Sequence, residues 1–256
     1  MKIFSSFMIL SLLMIGSGCE KEPESDLVET NNEFQSEESR GDLEEIDQQL
    51  YSASYEAMCN DGLISSEAVD KILLLTELNN DEDVYGIYYR IDEIATLFED
   101  CGDPWGMFPT TYRHITNRII QAIENQEIED QDWAKRIVVD FASRYMQNLN
   151  SALSGGEPSY AWDQYYYLAD HPKASRARAV VIAMVAHLTL DLPYSLVEIG
   201  TTEDHKDDYF VLGELMIEIT PDFIEDLRYY YDTETEDLLN GFFLGDWVDG
   251  AYGQDT

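Results

Sequence analysis

Basic residues are scarce in this chain: 15 lysines and arginines stand against 52 aspartates and glutamates, a formal net charge of −37. Such an excess repels other polyanions, which argues against nucleic acid and anionic lipid headgroups as partners. Histidine is rare as well, with four residues in 256. There is no Gly-rich phosphate loop, no GxSxG elbow, no HExxH and no CxxC, so the ready signatures of nucleotide binding, serine hydrolysis, zinc proteolysis and thiol redox chemistry are missing. No loop alternates carboxylates as an EF-hand does, despite the acidity. Strand-like alternation is scarce, and no internal repeat is visible.

What is there begins with an export signal. Lys2 precedes an apolar run over 3–15, and Gly16-Ser17-Gly18 leads into Cys19. Residues 1–18 read as a signal peptide, too short to remain as a membrane span. The small residues up to Cys19 resemble a lipobox, in which the thiol is acylated, although Gly16 stands where most lipoboxes carry leucine. Lipidation at Cys19 would anchor the chain to a membrane, facing an extracytoplasmic compartment of the cell envelope. Residues 19–42 are acidic and poor in apolar side chains, the composition of a flexible tether. No later segment shows an uninterrupted apolar run long enough to span, so no second membrane element is expected. With Cys19 assigned to lipid, Cys59 and Cys101 remain, and in an oxidising compartment two such cysteines are expected to pair. Both stand beside expected helix ends, so the bond would join two interhelical turns.

Residues 43–256 read as one all-α domain, a multi-helix bundle. Hydrophobic residues make up 45% of the chain, enough for a substantial core, and apolar positions recur at intervals of three and four. Stripes run through Leu43, Ile46, Leu50 and Ala57, then through Ala68, Ile72, Leu75 and Leu78 behind a Ser65 or Ser66 cap. A third contains Val84, Ile87, Ile91, Ile94 and Phe98. A fourth opens at Thr110 and Thr111 after Pro109, and a fifth holds Trp133, Ile137, Phe141, Tyr145 and Leu149. A short aromatic helix is expected over 159–169. Residues 177–190 are apolar on all faces except at His187, with Arg176 and Arg178 at the entrance, the pattern of a central buried helix. Pro193 is expected to interrupt it, with further helices over 195–199, 207–219, 221–231 and 234–239.

One polar constellation stands out. His187 and Asp191 lie four apart, so both project from one helix face. At the end of the most apolar helix, an unpartnered carboxylate would be costly to bury. His205 and Asp208 form a second pair, three apart. Brought together, His187, Asp191, His205 and Asp208 could hold a divalent metal ion such as zinc that activates water for hydrolysis. The His-x-x-x-Asp spacing loosely resembles all-helical zinc phospholipases and P1-type nucleases, but their further histidines and N-terminal tryptophan ligand are missing. The bland alternative is a buried His187–Asp191 hydrogen bond that fixes packing, with Asp191 capping a helix that begins at Pro193. Asp140 and Arg144, like His114 and Arg118, also stand at helical spacing.

The block Ala186-His187-Leu188-Thr189-Leu190-Asp191-Leu192-Pro193 resembles the central signature of a bacterial family, domain of unknown function 5995. Other blocks agree in order: Phe108, Tyr112 and Thr116; Phe141-Ala142-Ser143-Arg144-Tyr145; Trp162; and Asp208-Tyr209. The resemblance covers roughly 103–231. It implies an all-helical fold with a shared polar centre around His187 and Asp191, and it implies no activity. Where the family carries asparagines two before and two after the histidine, this chain has Val185 and Thr189, a less polar surround. Two readings of function stay open: a non-catalytic, partner-binding lipoprotein of the envelope, and a metal-assisted hydrolase centred on His187 and Asp191.

Overall fold

The computed structural model describes residues 58–79 and 81–234. Cys19, the export signal, the acidic tether, the stripe through Leu43 and the expected helix over 234–239 fall outside these, apart from Glu234 itself. Among the described residues the fold is all-α, introduced by one small hairpin. Strands β1 (Cys59–Asn60) and β2 (Leu63–Ile64) pair antiparallel. Asp61 and Gly62 make the turn, both with positive φ, as a two-residue loop of the mirror-image type requires. The sequence pattern assigned Cys59 to a helix end. The Asp-Gly pair instead closes a hairpin, and the strands are too short to show alternation.

Helices follow in order: α1 (Ser66–Thr76), α2 (Val84–Cys101), α3 (Met107–Glu124), α4 (Gln131–Leu153) and α5 (Tyr160–Asp170). After these come α6 (Arg176–Glu198), α7 (Lys206–Glu218) and α8 (Thr220–Tyr231). Four of these eight helices are capped by a side-chain oxygen that accepts from an otherwise orphaned amide. Ser65 accepts from Ala68, Asp83 from Gly86, Asp130 from Trp133 and Ser175 from Arg178. Helix α2 ends at Gly102 in the left-handed conformation, which costs glycine nothing. Helix α3 starts earlier than its proline suggests. Pro109 falls in the first turn, where a missing N–H removes no helical bond, and the neighbouring Phe108 amide donates to the Tyr165 hydroxyl.

The core lies where α2, α3, α4, α5 and α6 meet. Ile87, Ile91, Ile94 and Phe98 of α2 are fully buried, as are Trp133, Tyr145 and Leu149 of α4 and Trp162 and Tyr165 of α5. The apolar stripes expected from the sequence supply these contacts. Cys59 and Cys101 are joined, with their Cα atoms 5.3 Å apart. The bond ties the start of the hairpin to the last turn of α2. Asp103 adds to this join by accepting from the amides of Ile64 and Trp105.

Helix α6 departs most from expectation. Pro193 does not interrupt it. Over His187–Asp191 the helix widens into a π turn, and the Leu192 amide reaches back to the His187 carbonyl. An α-helix running into Pro193 would lose one bond and press the ring against the carbonyl four residues earlier. The wider turn accommodates that clash, as π-bulges elsewhere do. The result is a helix of 23 residues, long and apolar enough to cross a membrane by length and composition alone. The helix is longer than the apolar run alone predicts, because Pro193 does not stop it. Within the fold, α6 packs its inner face on α3, α4 and α5. The helix is central but not enclosed, since 44% of its most apolar stretch is buried.

Candidate functional site

The π turn puts His187 and Asp191 on the inner face of α6, 3% and 7% exposed. His187 sits in a box of aromatic rings. Phe141 of α4 stacks flat on its imidazole at 3.5 Å between centroids. Phe108 and Tyr112 of α3 present ring edges at 5.1 and 4.7 Å. Tyr145 and Trp162 close the remaining sides. Three helices therefore contribute walls, and each wall residue belongs to a block quoted above for the family resemblance.

Asp191 Oδ2 is the hub. It accepts from Trp162 Nε1 at 2.9 Å and lies 2.9 Å from His187 Nδ1. An indole nitrogen can only donate. A carboxylate oxygen accepting both bonds puts the imidazole proton on Nδ1 and leaves Nε2 with a lone pair. That Nε2 is buried without a hydrogen-bond partner among the described residues. Burial lowers the His187 pKa, against the opposing pull of Asp191, so the ring is held neutral. The hydroxyls of Tyr145 and Tyr166 are also buried without partners among the described residues, and burial pushes both phenols well above the usual range. Asp191 has no capping bond to its own helix, which runs on through this position without a free N-terminus to cap.

The second pair lies elsewhere. Asp208, at the start of α7, accepts from the amides of Glu129 and Asp130, both at 2.8 Å. Its two oxygens thus hold the connection between α3 and α4. His205 accepts at Nδ1 from the Thr202 amide, stacks on Trp133 at 5.2 Å, and turns Nε2 toward Asp130. The four-residue metal centre of His187, Asp191, His205 and Asp208 is therefore not assembled. Each pair is committed to its own neighbours, and no group of three or more metal-ligating side chains converges among the described residues.

Two features had no signal in helical spacing. Trp162 as a donor to Asp191 spans 29 positions, and only its place among the family-like blocks pointed to it. The second feature is an ionic network around Arg113. Its guanidinium meets Glu99 at 2.8 Å, Asp226 at 3.0 Å and Asp92 at 3.5 Å. Thr110 donates to Glu99, and His114 contacts Asp226 at 2.7 Å. Burial raises the Glu99 pKa in spite of Thr110 and Arg113. These partners come from α2, α3 and α8, and no helical spacing links them. Arg144 does pair with Asp140 at 2.9 Å as their spacing predicts, and also donates to Ser195.

Comparison with known proteins agrees with the blocks that build the box. A profile described as a family of unknown function (DUF5995) matches residues 84–253. This is wider than the 103–231 read from the blocks, and it includes α2. Searches of curated proteins and of solved structures return no match. With about two thirds of its length matched, and with Phe108, Tyr112, Phe141, Tyr145, Trp162, His187 and Asp191 gathered in one centre, the chain belongs to the DUF5995 family.

Proposed function

We propose that this protein is an exported, lipid-anchored helical domain of the cell envelope that binds a partner rather than performing a reaction. In this reading His187, Asp191 and Trp162 form a structural centre. The observation that carries it is the sharing of Asp191 Oδ2 between Trp162 and His187 inside a closed aromatic box. A carboxylate with two neutral donors and a stacked imidazole is a packing device: it satisfies polar groups in the core and fixes how α4, α5 and α6 meet. The anchor rests on the sequence at Gly16 to Cys19, and the net charge of −37 favours a basic or neutral partner.

A second reading is supported by one atom. The unpartnered Nε2 of His187 is the kind of lone pair that takes a proton or a metal ion in a hydrolase. Elemental analysis of the purified full chain separates the two. The structural reading expects no stoichiometric metal and a His187→Ala variant that loses thermal stability while partner binding survives at temperatures where it is folded. About one bound ion per chain, lost on His187→Ala, would overturn it. The address is tested by mass spectrometry of the mature N-terminus. Diacylated or triacylated Cys19 is expected, and an unmodified start at another residue would remove the anchor.

A further inference from the structure

Helix α6 keeps an apolar flank that is only partly covered, with Leu190, Tyr194 and Val197 left exposed. Val181, Val185, Leu188 and Leu192 recur at intervals of four, three and four, so they form one stripe. They are half-buried, while Tyr194 and Val197 farther along are 66% and 65% exposed. We propose that the chain's own C-terminal segment, 238–248, docks along this face and completes the bundle.

Three observations single out this occupant. The described chain ends beside the head of α6: Arg176, the first residue of the helix, donates to the Tyr231 carbonyl. Thr233 is still 2% exposed, so the chain has not left the body at that point. The family match runs on to residue 253, which makes this stretch part of the family's domain. The segment itself carries Leu238, Leu239, Phe242, Phe243, Leu244, Trp247 and Val248 within eleven residues.

Length permits the docking. A helix of 23 residues is roughly 35 Å long at 1.5 Å per residue. The residues from 235 to 253 reach about 60 Å when extended and about 28 Å when helical. Arg178 is exposed at the head of the same face, and the segment has Glu236 and Asp237 just before it and Asp246 within it as charge partners. Other occupants fit less well. A second copy would bring another −37 of charge, whereas a tethered segment competes at an effective concentration on the order of millimolar. The apolar stripe at 43–57 lies before the family match.

Photocrosslinking in the full chain tests this. The photoreactive residue p-benzoylphenylalanine is placed at Val185 or, should that variant fail to fold, at the exposed Tyr194. Peptide mapping after irradiation is expected to give an intramolecular adduct with 238–248 as the major product. Phe242→Ser with Phe243→Ser should reduce that adduct several-fold and raise binding of an apolar fluorescent dye. A major adduct with 43–57, an adduct between two chains, no protein adduct, or an adduct unchanged by the two serine substitutions would each overturn the proposal.

Discussion

Trp162 and His187 share a single oxygen of Asp191, each at 2.9 Å, although they come from different helices. The carboxylate is thereby the one acceptor for two buried donors. Removing it strands both, and an unsatisfied buried donor costs about 1–3 kcal/mol. Asp191→Ala is therefore expected to lower stability by roughly 2–6 kcal/mol in urea unfolding, the sum for two donors. Trp162→Phe leaves the histidine bond in place and should cost less than Asp191→Ala. If the two variants cost the same, the shared oxygen is not the hub.

The same centre gives a pH dependence with a definite sign. Burial depresses the His187 pKa in the folded chain below its ordinary value near 6.5. Below about pH 6.5 the unfolded chain takes up a proton that the folded chain refuses, so stability falls as the pH drops from there toward the folded pKa. The limiting slope is about 1.4 kcal/mol per pH unit for one group. His187→Gln should be less stable at pH 7.5 and should lose this part of the slope as the pH falls below about 6.5. Unfolding free energies of both proteins at several pH values check it.

The bond between Cys59 and Cys101 closes a loop with a sequence separation of 42. On the chain-entropy estimate, a loop of that size is worth about 4 kcal/mol. Replacing both cysteines by serine, or reducing the native protein, should lower the melting temperature by a corresponding amount. The family-like centre at His187 should keep its near-ultraviolet signal while the protein remains folded.

Asp208 offers a test of what the second pair does. Its side chain holds the amides of Glu129 and Asp130. Asp208→Ala should speed hydrogen exchange at those two amides by tenfold or more, for a loss of about 1–3 kcal/mol. Slow exchange that persists would show that the turn stands without it.

Tyr145 gives a prediction in the opposite direction. Its hydroxyl is buried with no partner among the described residues, so Tyr145→Phe removes an unpaired polar group and leaves the ring in the box. Stability should stay unchanged or rise by up to about 1 kcal/mol. A clear loss would mean that the hydroxyl has a partner.

How far the sequence reached can be judged from these residues. Stripes such as Ile87, Ile91, Ile94 and Phe98 are local, and a helix of regular pitch turns them into a buried face, so the helices were legible. His187 and Asp191 meet because four residues is close to one turn, which is also local. Pro193 misled because its usual effect assumes an α-helix, whereas a π turn changes the register of bonds around it. The hairpin at Cys59 was hidden by its size. Trp162, Glu99 and Arg113 depend on helix crossings, where partners are fixed by packing rather than by spacing. His205 and Asp208 shared residue types with His187 and Asp191, and types alone do not make side chains converge.

The disulfide has a mechanical consequence. Met58 is the first described residue, and Cys59 follows it directly. A pull on the chain before Met58 enters at Cys59 and crosses the covalent bond to the end of α2. The hairpin, α1 and the rest of α2 lie off that load path. Tension from the N-terminal side is therefore borne by a bond and the core behind α2, and β1 cannot be peeled from β2 before the sulfur–sulfur link is cut.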